Sequence, residues 1–218
     1  MKNSTRPRVP VFVAIGASLL LAGCSTSAAP RDPAPGVPSS PTPAATTGNE
    51  CDGATINRSA SITSAHDLLV DAPVDRVWDL LTDVEGWSDW QQAVTSIERV
   101  DSGALAAESQ FIWTTPVPES QLSPADTLTI TSTVQQVDPG NCLLWQGPAI
   151  GESIQIDEGI HLWTFTEVEG GTLVHTEESW DAPVLSALEG ADAEAAEAML
   201  GGGLEAWLEN LKVTAEAA

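Results

Sequence analysis

The 218-residue chain has no tyrosine, three histidines, three cysteines, and eight lysines and arginines against 31 aspartates and glutamates, for a formal net charge of −23. So little positive charge argues against a phosphate backbone as partner, because such binding needs clustered Lys and Arg. It argues equally against docking on anionic lipid headgroups through a basic patch. The histidines, His66, His161 and His175, are spread along the chain with no zinc-ligand spacing, so no metal site is expected. No glycine-rich phosphate loop and no nucleophile elbow is present, and no cofactor is expected. No internal repeat is visible. The apolar run "VFVAIGASLLLA" has 12 residues, short of the roughly 20 that a membrane-spanning helix needs.

That run has a different reading. It follows the basic segment "MKNSTRPR" and precedes "LAGC", residues 21–24. Charge, apolar run and cysteine in this order resemble a bacterial lipoprotein signal with its lipobox. The resemblance implies a signal peptide over 1–23, cleavage before Cys24 and a lipid on the Cys24 thiol. The expected location is therefore export, with lipid anchoring to the outer face of the bacterial cell membrane. Residues 24–58 are expected to form a tether: "STSAAPRDPAPGVPSSPTPAATTGNE" carries six prolines and almost no large apolar residue, and cannot bury a core. Two cysteines remain, Cys51 and Cys142. In an oxidising compartment an even number of spare cysteines suggests a bridge, two free thiols being the alternative.

Residues 59–218 read as one domain. "SITSAHDLLVDA" is strand-like. In "PVDRVWDLLTD", Val74, Val77, Trp78 and Leu81 recur at helical spacing behind Pro73. "VEGWSDWQQ" reads as a second short helix with Trp87 and Trp90 three apart. Six strand-like runs follow, "VTSIERVDS" to "TLVHTEESW", with Gly170-Gly171 as the last hairpin turn. A helix from about Ala187 to Ala215 carries Leu200, Leu204, Leu208 and Leu211 on one stripe, with Gly201, Gly202 and Gly203 inside it. Strands flanked by helices at both ends indicate an α+β fold with an antiparallel sheet.

Three segments carry a family resemblance: "VDAPVDRVWDLLTDVEGWSDW", "LLWQGPAI" and "GIHLWTFTEVEGGTLVHTEESW". With the element order they resemble the START-like superfamily, also called SRPBCC or polyketide cyclase/dehydrase. The resemblance implies the helix-grip: a seven-stranded antiparallel sheet wrapped around a long C-terminal helix, two short helices after strand one, and a ligand cavity between sheet and helix. The strands here are rich in Thr and Ser, and no arginine lies on the later ones, unlike some cyclases of the family.

Strand alternation puts His161, Trp163 and Phe165 on one face of the penultimate strand. With the turn at the glycines, Thr176, Glu178 and Trp180 share it. This aromatic set with a few polar groups has the composition of a ligand cavity. Leu162, Thr164, Thr166, His175 and Glu177 lie opposite, on the face expected to be solvated. A one-residue slip would bring His175 and Glu177 inward instead. Phe111, Trp113 and Trp145 are further candidates for the lining or for the core. His161 and Glu178 are the candidate acid–base pair, a structural hydrogen bond being the alternative.

The expected function is a membrane-tethered protein binding a small hydrophobic or amphipathic molecule. A cyclase- or dehydratase-type enzyme using His161 and Glu178, and a non-catalytic cell-envelope interaction protein, are the alternatives. Nothing in the sequence points to an oligomer, and a monomer is the default.

Overall fold

The computed structural model describes residues 50–217. The signal peptide over 1–23, the lipidation of Cys24 and most of the tether lie outside the described residues. No helix among the described residues is long and apolar enough to cross a membrane.

Seven strands form one antiparallel sheet: β1 (Ile62–Val70), β2 (Ser96–Arg99), β3 (Gln110–Val117), β4 (Asp126–Asp138), β5 (Cys142–Ile150), β6 (Gln155–Val168) and β7 (Gly171–Asp181). Their spatial order is β1-β7-β6-β5-β4-β3-β2, so β1 and β2 form opposite edges. Between β1 and β2 run α1 (Val74–Thr82) and α2 (Trp87–Trp90), joined by a single 3-10 turn. A short α3 (Pro183–Ser186) leads to the long α4 (Ala191–Glu216). This is the helix-grip arrangement. Every strand-like run in the sequence is a strand; burial alternates on β1 and β3, whose outer side chains are mostly exposed, while β5 and β6 bury consecutive residues in their middle.

α1 buries Val77 and Leu81, with Pro73 at its N-cap. α4 buries Leu200, Leu204, Trp207, Leu208 and Leu211 against the sheet. It begins at Ala191 rather than Ala187, because Gly190 takes φ 55° and ends the preceding turn. The three glycines do not break it. At Gly201 α4 passes close to β1: a Cβ there would lie 3.1 Å from Ser64 Oγ and 3.2 Å from His66 Nε2.

The last hairpin differs from the expected turn. Val168 pairs with Gly171, so the loop is Glu169-Gly170, with Gly170 at φ 95°. The register shifts by two residues, and an even shift keeps every side chain on its expected face.

The expected tether boundary at residue 58 is corrected. Cys51 is bonded to Cys142, and Cys51 and Ile56 are buried with Cys142, Leu144 and Leu162 on the outer face of the sheet. The Asn57 backbone N–H donates to Ser179 Oγ at 3.2 Å, and Arg58 pairs with Glu177 at 3.0 Å. Residues 51–58 are thus a strap across the sheet. The outer face is not simply solvated, since this strap covers Leu162 and Glu177.

Candidate functional site

The inner face of the sheet has two levels. In one, α1 and α2 fill the space. Trp87 is fully buried, and its indole N–H donates to the Leu81 carbonyl at 2.9 Å. Its ring lies 5.3 Å from Phe111, 5.6 Å from Trp145 and 5.0 Å from Trp207, while Trp78 meets Phe165 edge-on at 5.6 Å. All but the tilted Trp87–Trp145 pair meet edge-to-face, and such packing adds to area burial. In the other level no short helix covers the sheet, and a cavity of about 470 Å³ lies between sheet and α4.

The boundary between the levels crosses the sheet strand by strand. On β3 it falls between Phe111 in the core and Trp113 on the cavity wall; on β4, between Val134 and Ser132; on β5, between Leu143 and Trp145; on β6, between Trp163 and His161. Trp113, Trp145, His161, Glu178 and Trp180 are therefore brought together around the cavity. Phe111, Trp163 and Phe165, expected as lining, are corrected: all three are core residues packed under the short helices. The alternates His175 and Glu177 face outward, where His175 Nδ1 lies 2.9 Å from Asp67.

The other wall is α4, which presents Met199, Leu200, Leu204 and Trp207. Trp207 was missed in the sequence, although it sits at helical spacing from Leu200, Leu204 and Leu211 and could have been read from the stripe. Gly202, Gly203 and Ala206 line the cavity yet are exposed, so they mark its mouth. The volume is within the range of small-molecule pockets, and the walls are mostly apolar.

His161 and Glu178 are directly paired across β6 and β7, with Nδ1 and Oε2 3.8 Å apart. That is too long for a hydrogen bond. The tautomer follows from Thr176. Its hydroxyl donates to the Leu162 carbonyl at 3.3 Å, so it accepts from His161 Nε2–H at 2.8 Å. Nδ1 thus carries the lone pair and faces Glu178. Burial lowers His161 to about 3, so the imidazole is neutral. Burial also raises the Glu178 carboxyl to about 7, an effect the Trp180 indole partly offsets. Glu178 keeps about a fifth of its side chain accessible (19%), on the cavity side. Chemically the site is an aromatic slot with two adjacent acceptors. No group of metal-ligating residues is found among the described residues.

A family model described as polyketide cyclase / dehydrase and lipid transport matches residues 61–216. No curated protein matches the sequence. Among solved structures, the di-domain aromatase/cyclase StfQ of the steffimycin biosynthetic pathway superposes with a TM-score of 0.54 at 17% identity, over 71% of this chain and 51% of that one. This chain therefore spans about half the length of that relative. The ZhuI aromatase/cyclase from Streptomyces sp. R1128 gives 0.52 at 18% identity, over 71% and 93% of the two chains. A START superfamily protein from Mycobacterium smegmatis gives 0.53 at 11%, over 71% and 97%. At these identities the likeness concerns the fold.

Proposed function

We propose that this chain, which belongs to the polyketide cyclase / dehydrase and lipid transport family, is a membrane-tethered extracytoplasmic protein that binds a small hydrophobic or amphipathic molecule between its sheet and α4. The observation that carries this reading is the open cavity of about 470 Å³, walled mostly by tryptophans and aliphatic side chains, with His161 and Glu178 among its few polar groups. Burying an apolar ligand there supplies affinity at roughly 25 cal/mol per Å² of surface removed from water, and the polar groups orient it. Tethering rests on the basic segment, the apolar run and "LAGC" ahead of Cys24.

The test is to incubate the purified protein with a total lipid extract, re-isolate it and identify co-purifying molecules by mass spectrometry. Stoichiometric recovery of one apolar class is expected, and recovery of nothing above a Trp145→Asp control overturns the reading. For the tether, cells labelled with radioactive palmitate should mark the wild-type protein and leave Cys24→Ser unlabelled.

One observation favours a second reading, a cyclase- or dehydratase-type enzyme. A carboxyl held at about 7 beside a neutral imidazole is matched to proton transfer near neutral pH. Turnover of a polyketide-like substrate that Glu178→Gln abolishes and that binding alone does not account for would establish it.

A further inference from the structure

The paired polar groups of the cavity have an unbalanced chemistry. His161 Nδ1 is an acceptor and so is Glu178 Oε2 once ionised, and at 3.8 Å the two are too far apart to bond to each other. Among the described residues no lysine or arginine lines the cavity. Two tryptophans lie beside these groups, Trp145 against His161 and Trp180 with its indole N–H donating to Glu178, and Trp113 and Trp207 also line the cavity. The Trp145 ring lies 4.8 Å from the His161 imidazole. The His161 lone pair is buried, and the partly accessible Glu178 carboxylate has room for a donor besides the Trp180 indole; both can take a further N–H, and tryptophan faces attract a cation. An anion would meet a carboxylate with no counter-charge in the cavity.

We propose that the cavity selects protonated alkyl amines over alcohols and carboxylates of the same chain length, the ammonium donating to Glu178 and to His161 Nδ1 while the alkyl chain lies against the tryptophans. The proposal rests on the ligand-binding reading above and names the chemical class of its ligand. Burial alone disfavours the Glu178 carboxylate, and an ammonium beside it restores the ionised form. A charge-assisted hydrogen bond is about twice as strong as a neutral one, so the amine should bind at least about tenfold more tightly than the alcohol.

The experiment titrates the full-length protein with octylamine, octanol and octanoate at pH 8 in 0.15 M NaCl, following tryptophan fluorescence. Octylamine is expected to bind at least about tenfold more tightly than octanol, octanoate least, and excess octanol should displace octylamine. In Glu178→Gln the amine-to-alcohol ratio should fall to about one. Equal or tighter binding of octanol or octanoate overturns the amine selectivity while leaving the apolar cavity standing. An amine preference that survives Glu178→Gln, or that octanol cannot displace, belongs to the acidic surface and also overturns it. Absence of binding by all three overturns the ligand-binding reading itself. The wild-type ratio and the displacement decide the matter even if Glu178→Gln fails to fold.

Discussion

Three adjacent glycines on one helix give a sharp test of how α4 lies on the sheet. Replacing glycine by alanine inside a helix gains about 0.8–1.0 kcal/mol of intrinsic propensity. At Gly202 and Gly203 a Cβ would meet nothing within 4 Å. Each substitution should therefore realise the full gain, raising the melting temperature by about 2–4 °C for a chain of this size. The pair should give about twice that, because neighbouring helix residues do not face one another. At Gly201 the same methyl would press on Ser64 Oγ and His66 Nε2, which already contact each other at 3.2 Å. Overpacking of this kind typically costs about 1–3 kcal/mol, enough to cancel or reverse the propensity gain. Thermal unfolding followed by circular dichroism, with urea midpoints as a second measure, should place Gly201→Ala at least about 1 kcal/mol below the other two variants. Three equal gains would refute the close approach of α4 to β1. A loss at Gly202 or Gly203 would mean that another group covers the cavity mouth.

Removing the bridge with Cys51→Ser and Cys142→Ser should lower stability by about 4–5 kcal/mol in the chain-entropy model, given a separation of 91 residues; a change below about 1 kcal/mol in urea unfolding would show that the strap holds without it. The pH dependence of stability should expose the buried pair. Glu178 has a folded value of about 7, above the 4.5 of a free glutamate, so its contribution falls as pH rises across that window. His161 has a folded value of about 3 below 6.5, so its contribution rises with pH across that window. The two oppose each other between 4.5 and 6.5. Relative to wild type, Glu178→Gln should gain stability with rising pH there and His161→Gln should lose it, each by up to about 1.4 kcal/mol per pH unit. Curves parallel to wild type would contradict both assignments. Trp87→Ala should cost about 3–5 kcal/mol, as expected for a fully buried aromatic. Trp90→Ala, only half-buried, should cost clearly less in the same unfolding assay.

Much of the fold was legible because residue types alternate along most strands and apolar residues recur at helical spacing on α1 and α4. The hairpin shows how robust that signal is. Gly170-Gly171 and Glu169-Gly170 turns differ by two in register, so His161 faces Glu178 rather than Trp180 while both stay inward. What alternation cannot give is height along a strand. Phe111 and Trp113, or His161 and Trp163, share a face and a composition. Only the placement of α1 and α2 over one end of the sheet decides which member packs in the core and which lines the cavity. The strap was legible only at its anchor: the two spare cysteines pointed to the Cys51–Cys142 bridge, but residues 52–58 are mostly small or polar, and only Ile56 hints at burial. Its place is set by a covalent bond and by the pairing of Arg58 with Glu177, neither of which leaves a periodic trace.

The strap also changes how the domain bears tension. β1 is an edge strand, held by β7 alone within the sheet, and edge strands held by hydrogen bonds on one side are the first to peel. A pull on the chain upstream of Cys51 does not reach β1 directly. It divides at Cys51, where a covalent path leads straight to Cys142 on β5, in the middle of the sheet. The disulfide diverts the force past residues 52–61, and β1, with the α4 contact at Gly201 that it supports, is shielded from shear.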